Sequence, residues 1–256
     1  QIGVVGTDPA GDELRAALVG RGIDVSGLLT DSLRPTTVKQ RIMAQMGLRF
    51  PQQVARVDRL SREPASDAVT AALIQAASVR IPGASAVLFS DYHNGMLTPP
   101  LVDALRTLAD AAGVLLTADA QGDFLKYTGF GLVKCNADEA SAFLRRSLVT
   151  DADFAAAALE LCRTLRLTRG MVITRGPDGA TVADASAHAE HVASAHVEDV
   201  FDTVGAGDTA IAVLTLCVAA GASLSAAVHV ANAASGIVVR RVGNYAPTVE
   251  ELRHEL

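Results

Sequence analysis

The residues most able to do chemistry are Asp202-Thr203-Val204-Gly205-Ala206-Gly207-Asp208, which run directly into an apolar stretch ending at Ala220 and Gly221. A glycine-rich turn that opens a helix leaves several backbone N–H groups aimed outward. With the helix dipole behind them, these groups make an anion site suited to a phosphate in transit. Asp208 falls in the first helical turn, next to an anion it would otherwise repel. A carboxylate there is useful if it takes a proton from an attacking hydroxyl. Acidic residues in first turns also serve as caps, but two glycines around Ala206 and a second acid upstream exceed what a cap requires. The spacing therefore points to phosphoryl transfer onto a hydroxyl.

Such a turn has to be held by something, and the rest of the chain supplies regular elements. Short apolar runs at Ile2–Val5, Ala86–Phe89, Val114–Thr117, Gly131–Lys134, Met171–Thr174 and Ala180–Ala183 predict strands. Pro99-Pro100 opens a helix that stops at Gly113, and Asp151 to Arg166 carries acids in its first turn and bases in its last. Thr248 and Glu251 form a capping box for a final short helix. This alternation predicts an α/β fold with a mostly parallel sheet and helices on both faces.

One region breaks the rhythm. From Thr36 to Ala44 and from Gln52 to Asp58, polar and apolar residues alternate around Gly47, which predicts a hairpin or small β lid over about 34–60. The lid is basic: Arg34, Lys39, Arg41, Arg49, Arg56, Arg59 and Arg62 stand against Asp58 alone. Two readings remain open. Edge strands carry charge to avoid aggregation, and a phosphate grip needs cations such as Lys39 and Arg41 on one strand face.

Composition excludes other classes. The 256 residues carry a formal net charge of −6, lack Trp and have 4% aromatics, which disfavours nucleic acid as a partner. No apolar run reaches the length of a membrane span, so no membrane partner is expected, and the chain reads as a soluble, cytoplasmic protein. Cys135, Cys162 and Cys217 are far apart and read as buried small hydrophobes in a reducing compartment. His188 and His191 would face opposite sides of a β-like segment and read as ordinary surface residues. There is no G-x-x-x-x-G-K-[ST] run, no G-x-S-x-G elbow, and Gly3, Gly6 and Gly11 miss the dinucleotide spacing.

The segment Asp202–Asp208 resembles the D-T-x-G-A-G-D signature of the ribokinase-like (PfkB) carbohydrate kinases. Asn136-Ala137-Asp138-Glu139 is similar to that family's N-x-x-E motif, and Thr174-Arg175-Gly176-Pro177-Asp178-Gly179 to its T-x-G-x-x-G turn, in the family's order. The resemblance covers essentially the whole chain. It implies a three-layer ribokinase-like fold with a small β lid, and ATP and Mg²⁺ as cofactors. Asp208 would be the general base, with Gly205, Ala206 and Gly207 as the anion hole. Asn136, Ala137, Asp138, Glu139, Thr174, Gly176, Gly179 and Asn232 would line the nucleotide, with Glu139 organising Mg²⁺ through water. Lys39, Arg41 and Arg56 would hold a sugar or sugar phosphate. A monovalent cation such as K⁺ beside Asp202 follows by family analogy only, and members of the family often form a homodimer through the lid.

Within that family, Arg34-Pro35-Thr36-Thr37-Val38-Lys39-Gln40-Arg41, Ser90-Asp91-Tyr92, Val200-Phe201-Asp202 and the stretch Ala231 to Val239 are most similar to the heptose 7-phosphate kinases. Two positions depart from that pattern: Asn94 and Gln121 stand where lysines are usual. The family's first strand and its G-G-x-x-x-N stretch do not occur, a gap of about 60 residues or roughly two βα units: the favoured expectation is that they precede Gln1, the alternative that the protein lacks part of its sugar site. The implied activity is phosphorylation of heptose 7-phosphate at C1. The alternatives are another sugar kinase of the family, of fructose-phosphate or ribose type, or a non-catalytic nucleotide-binding relic.

Overall fold

In a computed structural model, which describes residues 1–44, 52–194 and 200–256, the chain begins with β1 (Ile2–Val5) and α1 (Pro9–Val19). Asp8 caps α1 by accepting the Gly11 N–H, and Pro9 supplies the preset first-turn φ. β2 (Gly27–Thr30) returns parallel to β1, and β3 (Val38–Ala44) and β4 (Gln52–Arg59) form the expected antiparallel hairpin. The turn expected at Gly47, and Arg49, lie outside the described residues. Asp8 also anchors the entry to the hairpin, since its second oxygen accepts from the Thr36 N–H at 3.0 Å and from Arg59 at 3.1 Å. Gly6 sits under this junction, where an added β-carbon would lie 2.6 Å from the Arg34 carbonyl oxygen. α2 (Asp67–Arg80) follows, capped by Ser66. These elements belong to one unit of the chain, Gln1–Gly83 with His93–Leu108.

The second unit comprises Ala84–Tyr92 and Ala109–Leu256. β5 (Ala86–Ser90) is followed by α3 (Pro99–Ala112), which matches the Pro-start and Gly-stop expectation. Then come β6 (Leu115–Asp119), β7 (Leu132–Asn136), α4 (Ala137–Leu144), α5 (Asp151–Thr164), β8 (Gly170–Thr174), β9 (Ala180–Asp184) and β10 (Ala189–Val192). α6 (Ala206–Ala219), α7 (Leu224–Val239) and α8 (Val249–Glu255) complete the chain, the last with its capping box formed. The sheet order is β10-β9-β8-β7-β6-β5, with β5 through β8 parallel and β9 and β10 antiparallel.

Side chains along a strand alternate between faces, and the two faces of this sheet are covered by different helices. Leu132, Val172, Ala180 and Val182 pack with Ile211, Leu214 and Val218 of α6 and Val228 and Ala231 of α7 in one apolar cluster. α5 packs on β8, β9 and β10 and buries Phe154, Ala157, Ala158 and Leu161. Val133, Cys135, Met171 and Ile173 take the face opposite Leu132 and Val172, and all four are buried. Burial of each valine, methionine or isoleucine among them contributes about 1.5–3 kcal/mol. Thr215, the polar break in the apolar run of α6, is explained by a buried hydroxyl pair with Thr117 of β6 at 2.7 Å. That pair fixes α6 against β6 of the sheet.

Candidate active site

The N-terminus of α6 lies at the carboxyl end of the parallel strands, where open α/β sheets bind ligands. Gly205 is the N-cap, in the left-handed region at φ 82°, and no side chain caps the helix. The first helical bond runs from the Thr209 N–H to the Gly205 carbonyl at 2.8 Å. The Ala206 N–H turns back to the Thr203 carbonyl at 3.3 Å. Gly207 and Asp208 then carry N–H groups that helix geometry leaves without an intrahelical acceptor. Ser235 of α7 donates to the Ala206 carbonyl at 3.1 Å and steadies the turn. Asp202 is a strut: its two oxygens accept from the Val204 and Gly243 N–H groups, both at 3.0 Å.

Asp208 does not stand alone. The Tyr92 hydroxyl donates to its Oδ1. Burial, with the Asp208 carboxylate next, holds the Tyr92 phenol well above its ordinary range, so it stays a donor. Lys134 of β7 approaches the same turn from below. It shares a sheet face with Leu132, the face covered by α6, and a β-carbon built on Gly207 would lie 3.1 Å from the Lys134 Nζ. That ammonium is buried and donates to both oxygens of Asp119, each at 2.9 Å. Asp119 and Lys134 are register partners across β6 and β7. Burial pushes the Asp119 carboxyl up and Lys134 opposes that shift. Next to them Asp91 is buried with Lys126 at 2.6 Å and accepts from the Tyr127 hydroxyl at 2.7 Å.

The two motifs expected to line a nucleotide gather at the ends of β7 and β8. Asn136 caps α4, and Glu139 completes a capping box by accepting the Asn136 N–H at 2.7 Å. Ala137 and Asp138 occupy the first turn of that helix. Burial raises the Glu139 carboxyl, with the Asn136 N–H pulling the other way. Thr174 is the register partner of Asn136 and donates to the Cys135 carbonyl at 3.3 Å. Cys135 itself is fully buried, and burial pushes its thiol well up. The T-x-G-x-x-G stretch is the β8–β9 turn, with Gly176 and Gly179 at φ 60° and 86°. Arg175 holds that turn from behind, bound to Asp151 at 2.7 Å and lying 4.2 Å from the Phe154 ring centre. A β-carbon on Gly179 would sit 2.2 Å from the Val192 carbonyl oxygen. Asn232 donates to the carbonyls of Val192 and Ala193 at 3.3 and 2.9 Å, so it and Gly179 border the same segment.

Lys39, Arg41 and Arg56 are brought together on the hairpin of the other unit: Lys39 lies across from Asp58 and Arg41 across from Arg56. Arg56 is already held by Asp58 at 2.9 and 3.0 Å. Sequence reasoning missed Lys134, Asp119 and the partnership of Tyr92 with Asp208. One signal was present, because a lysine inside the apolar strand Leu132-Val133-Lys134-Cys135 is rarely buried without a task. Among the described residues no group of three or more His, Cys, Asp or Glu could hold a metal ion. Glu139, a lone carboxylate closing the N-x-x-E motif, suits a hard cation carried mainly by phosphates and water. No helix among the described residues is long and apolar enough to cross a membrane.

With the geometry in view, comparison with known proteins gives a consistent result. Residues 1–251 match the pfkB family carbohydrate kinase pattern. The chain is 38% identical over 257 residues to the bifunctional protein HldE of Hyphomonas neptunium, covering 100% of this chain and 51% of that protein. It is also 38% identical to HldE of Caulobacter vibrioides, covering 98% and 50%. The chain thus spans about half the length of the curated relatives it matches. Arabidopsis thaliana ribokinase complexed with ribose and ATP shares the fold at a TM-score of 0.78 and 18% identity, covering 99% of this chain and 80% of that one. Escherichia coli phosphofructokinase-2 in complex with potassium does so at 0.76 and 20%, covering 98% and 79%. The fold is ribokinase-like, and the chain belongs to the pfkB family of ATP-dependent carbohydrate kinases.

Proposed function

We propose that this chain phosphorylates a hydroxyl of a sugar phosphate, heptose 7-phosphate at C1, with Asp208 as general base. The observation that carries the mechanism is the carboxylate of Asp208 at the uncapped start of α6, oriented by the Tyr92 hydroxyl. The sugar hydroxyl oxygen forms a bond to the γ-phosphorus of ATP, the bridging P–O bond breaks toward ADP, and the hydroxyl proton passes to Asp208. The backbone of Gly205–Gly207 faces the charge that develops on the transferred group. Asn136, Glu139, Thr174 and the Gly176–Gly179 turn hold the nucleotide, with Asn232 toward its base. Glu139 would help to hold Mg²⁺, which would neutralise charge on the phosphates. A monovalent cation at Asp202 would have to use lone pairs left over by the Val204 and Gly243 N–H groups.

The heptose assignment is supported by the 38% identity to HldE over the whole chain. Lys39 and Arg41 on one hairpin face suit a substrate that already bears a phosphate. The test is ADP release with Mg-ATP against heptose 7-phosphate, fructose 6-phosphate and ribose. Turnover on the heptose phosphate alone supports the reading, and turnover on another sugar replaces the substrate. Asp208→Asn is expected to cut kcat by about 10²–10⁴-fold with ATP affinity nearly unchanged. Normal turnover in that variant would overturn the role of Asp208.

A further inference from the structure

We propose that Lys134 is a further catalytic residue, its ammonium delivered by Asp119 to the transferring phosphoryl group at Gly207. The inference rests on the kinase reading above. Its starting point is a charge problem. Asp208, Asp119 and Asp91 share one end of the sheet, and the fields of Asp208 and Asp91 both bear on Asp119. Lys126 is spent on Asp91. A triphosphate cannot settle beside the remaining two carboxylates unless a cation offsets them. The sequence has Gln121 where the resembling kinases have a lysine, so the cation must come from elsewhere.

Lys134 meets that need in three respects. Its strand position puts it on the α6 side of the sheet, in register with Asp119. Its Nζ reaches the one place in α6 where a side chain is missing, 3.1 Å from where a β-carbon on Gly207 would be. Gly207 is helical, a setting in which glycine is disfavoured relative to alanine, so the missing side chain, whose place the Lys134 ammonium crowds, has a use other than backbone freedom. Lys134 stands two residues before Asn136 on β7 while its Nζ approaches Gly207, which sets it between the N-x-x-E motif and the proposed anion hole. A buried ion pair is often no more stabilising than an apolar pair of the same volume, so packing alone gives little reason for it. Ammonium groups bind phosphate as compact point charges, and a buried one paired to a carboxylate is already oriented before the ligand arrives.

The experiment compares wild type with Lys134→Met, Lys134→Met/Gln121→Lys and Asp208→Asn. It reads kcat, affinity for Mg-ADP, and affinity for Mg-ADP with aluminium fluoride, which mimics the phosphoryl group in transit. Lys134→Met is expected to lower kcat by about 10²-fold and to abolish the extra affinity conferred by fluoride, while ADP affinity changes by less than about threefold. Returning a lysine at position 121 should restore part of both losses. A purely structural Lys134 would instead lower thermal stability and weaken ADP with and without fluoride alike, and that result overturns the proposal. So does a Lys134→Met variant with wild-type kcat and fluoride response. If Lys134→Met fails to fold, Asp119→Asn/Lys134→Met removes both buried charges and is read by the same criteria. Should wild type turn over no sugar, the kinase reading fails by itself, and the fluoride comparison still decides the role of Lys134.

Discussion

A tyrosine hydroxyl that donates to a carboxylate sets where that carboxylate points. Tyr92 donates to Asp208, and its phenol is held protonated by burial and by that same carboxylate. Removing the hydroxyl leaves Asp208 in place but free to rotate. Tyr92→Phe is expected to lower kcat about 10-fold, with the KM for ATP and the unfolding temperature nearly unchanged, as loss of one charge-assisted hydrogen bond implies. Steady-state kinetics beside a thermal melt would check it, and a kcat equal to wild type would remove Tyr92 from the site. The glycine turn and the helix start that place Asp208 were legible in the sequence, because a turn, a helix start and a carboxylate adjoin along seven residues. The partnerships of Tyr92 and Lys134 were not, since they join positions far apart in the chain and depend on which face of a strand each residue takes. Asp202 is a milder case: its type suggested an ion, and its observed bonds are those of a brace.

At the scale of elements, the site depends on how α6 is fixed over the sheet. The buried Thr117–Thr215 hydroxyl pair does this amid apolar packing. Thr215→Val alone strands the Thr117 hydroxyl and is expected to cost about 1–3 kcal/mol, whereas Thr117→Val/Thr215→Val should cost much less. Denaturant titration of the three proteins measures the difference, and equal losses in single and double variants would show that the pair contributes nothing specific. The strands at Ile2–Val5 and Ala86–Ser90 and the helix Pro99–Ala112 follow from apolar runs with clear stops. Strand ends shifted by one or two residues at β6 and β7, where Asp119 and Asn136 prolong the ladder beyond the apolar stretch. Polar residues at the ends of buried parallel strands look like loop in a sequence because the sheet supplies partners that the local pattern cannot show.

For the molecule as a whole, the unequal distribution of charge matters most. The chain carries −6, yet its hairpin region is rich in arginine. A basic patch on an acidic protein draws anions toward one surface and is screened by salt. If the substrate bears a phosphate, kcat/KM should fall about 3–10-fold between 0.05 and 0.5 M salt, and Lys39→Gln/Arg41→Gln should flatten that dependence. A variant whose salt profile overlays wild type would free the hairpin of any part in substrate capture. Cys135 offers a different kind of access. Its thiol is sealed in β7 between Lys134 and Asn136. An alkylating reagent can reach it only when the central sheet parts, so the rate of labelling works as a clock for rare openings at the heart of the enzyme. Any compound that occupies the neighbouring site should slow that clock, so labelling followed at Cys135 itself reports ligands whose turnover cannot be seen.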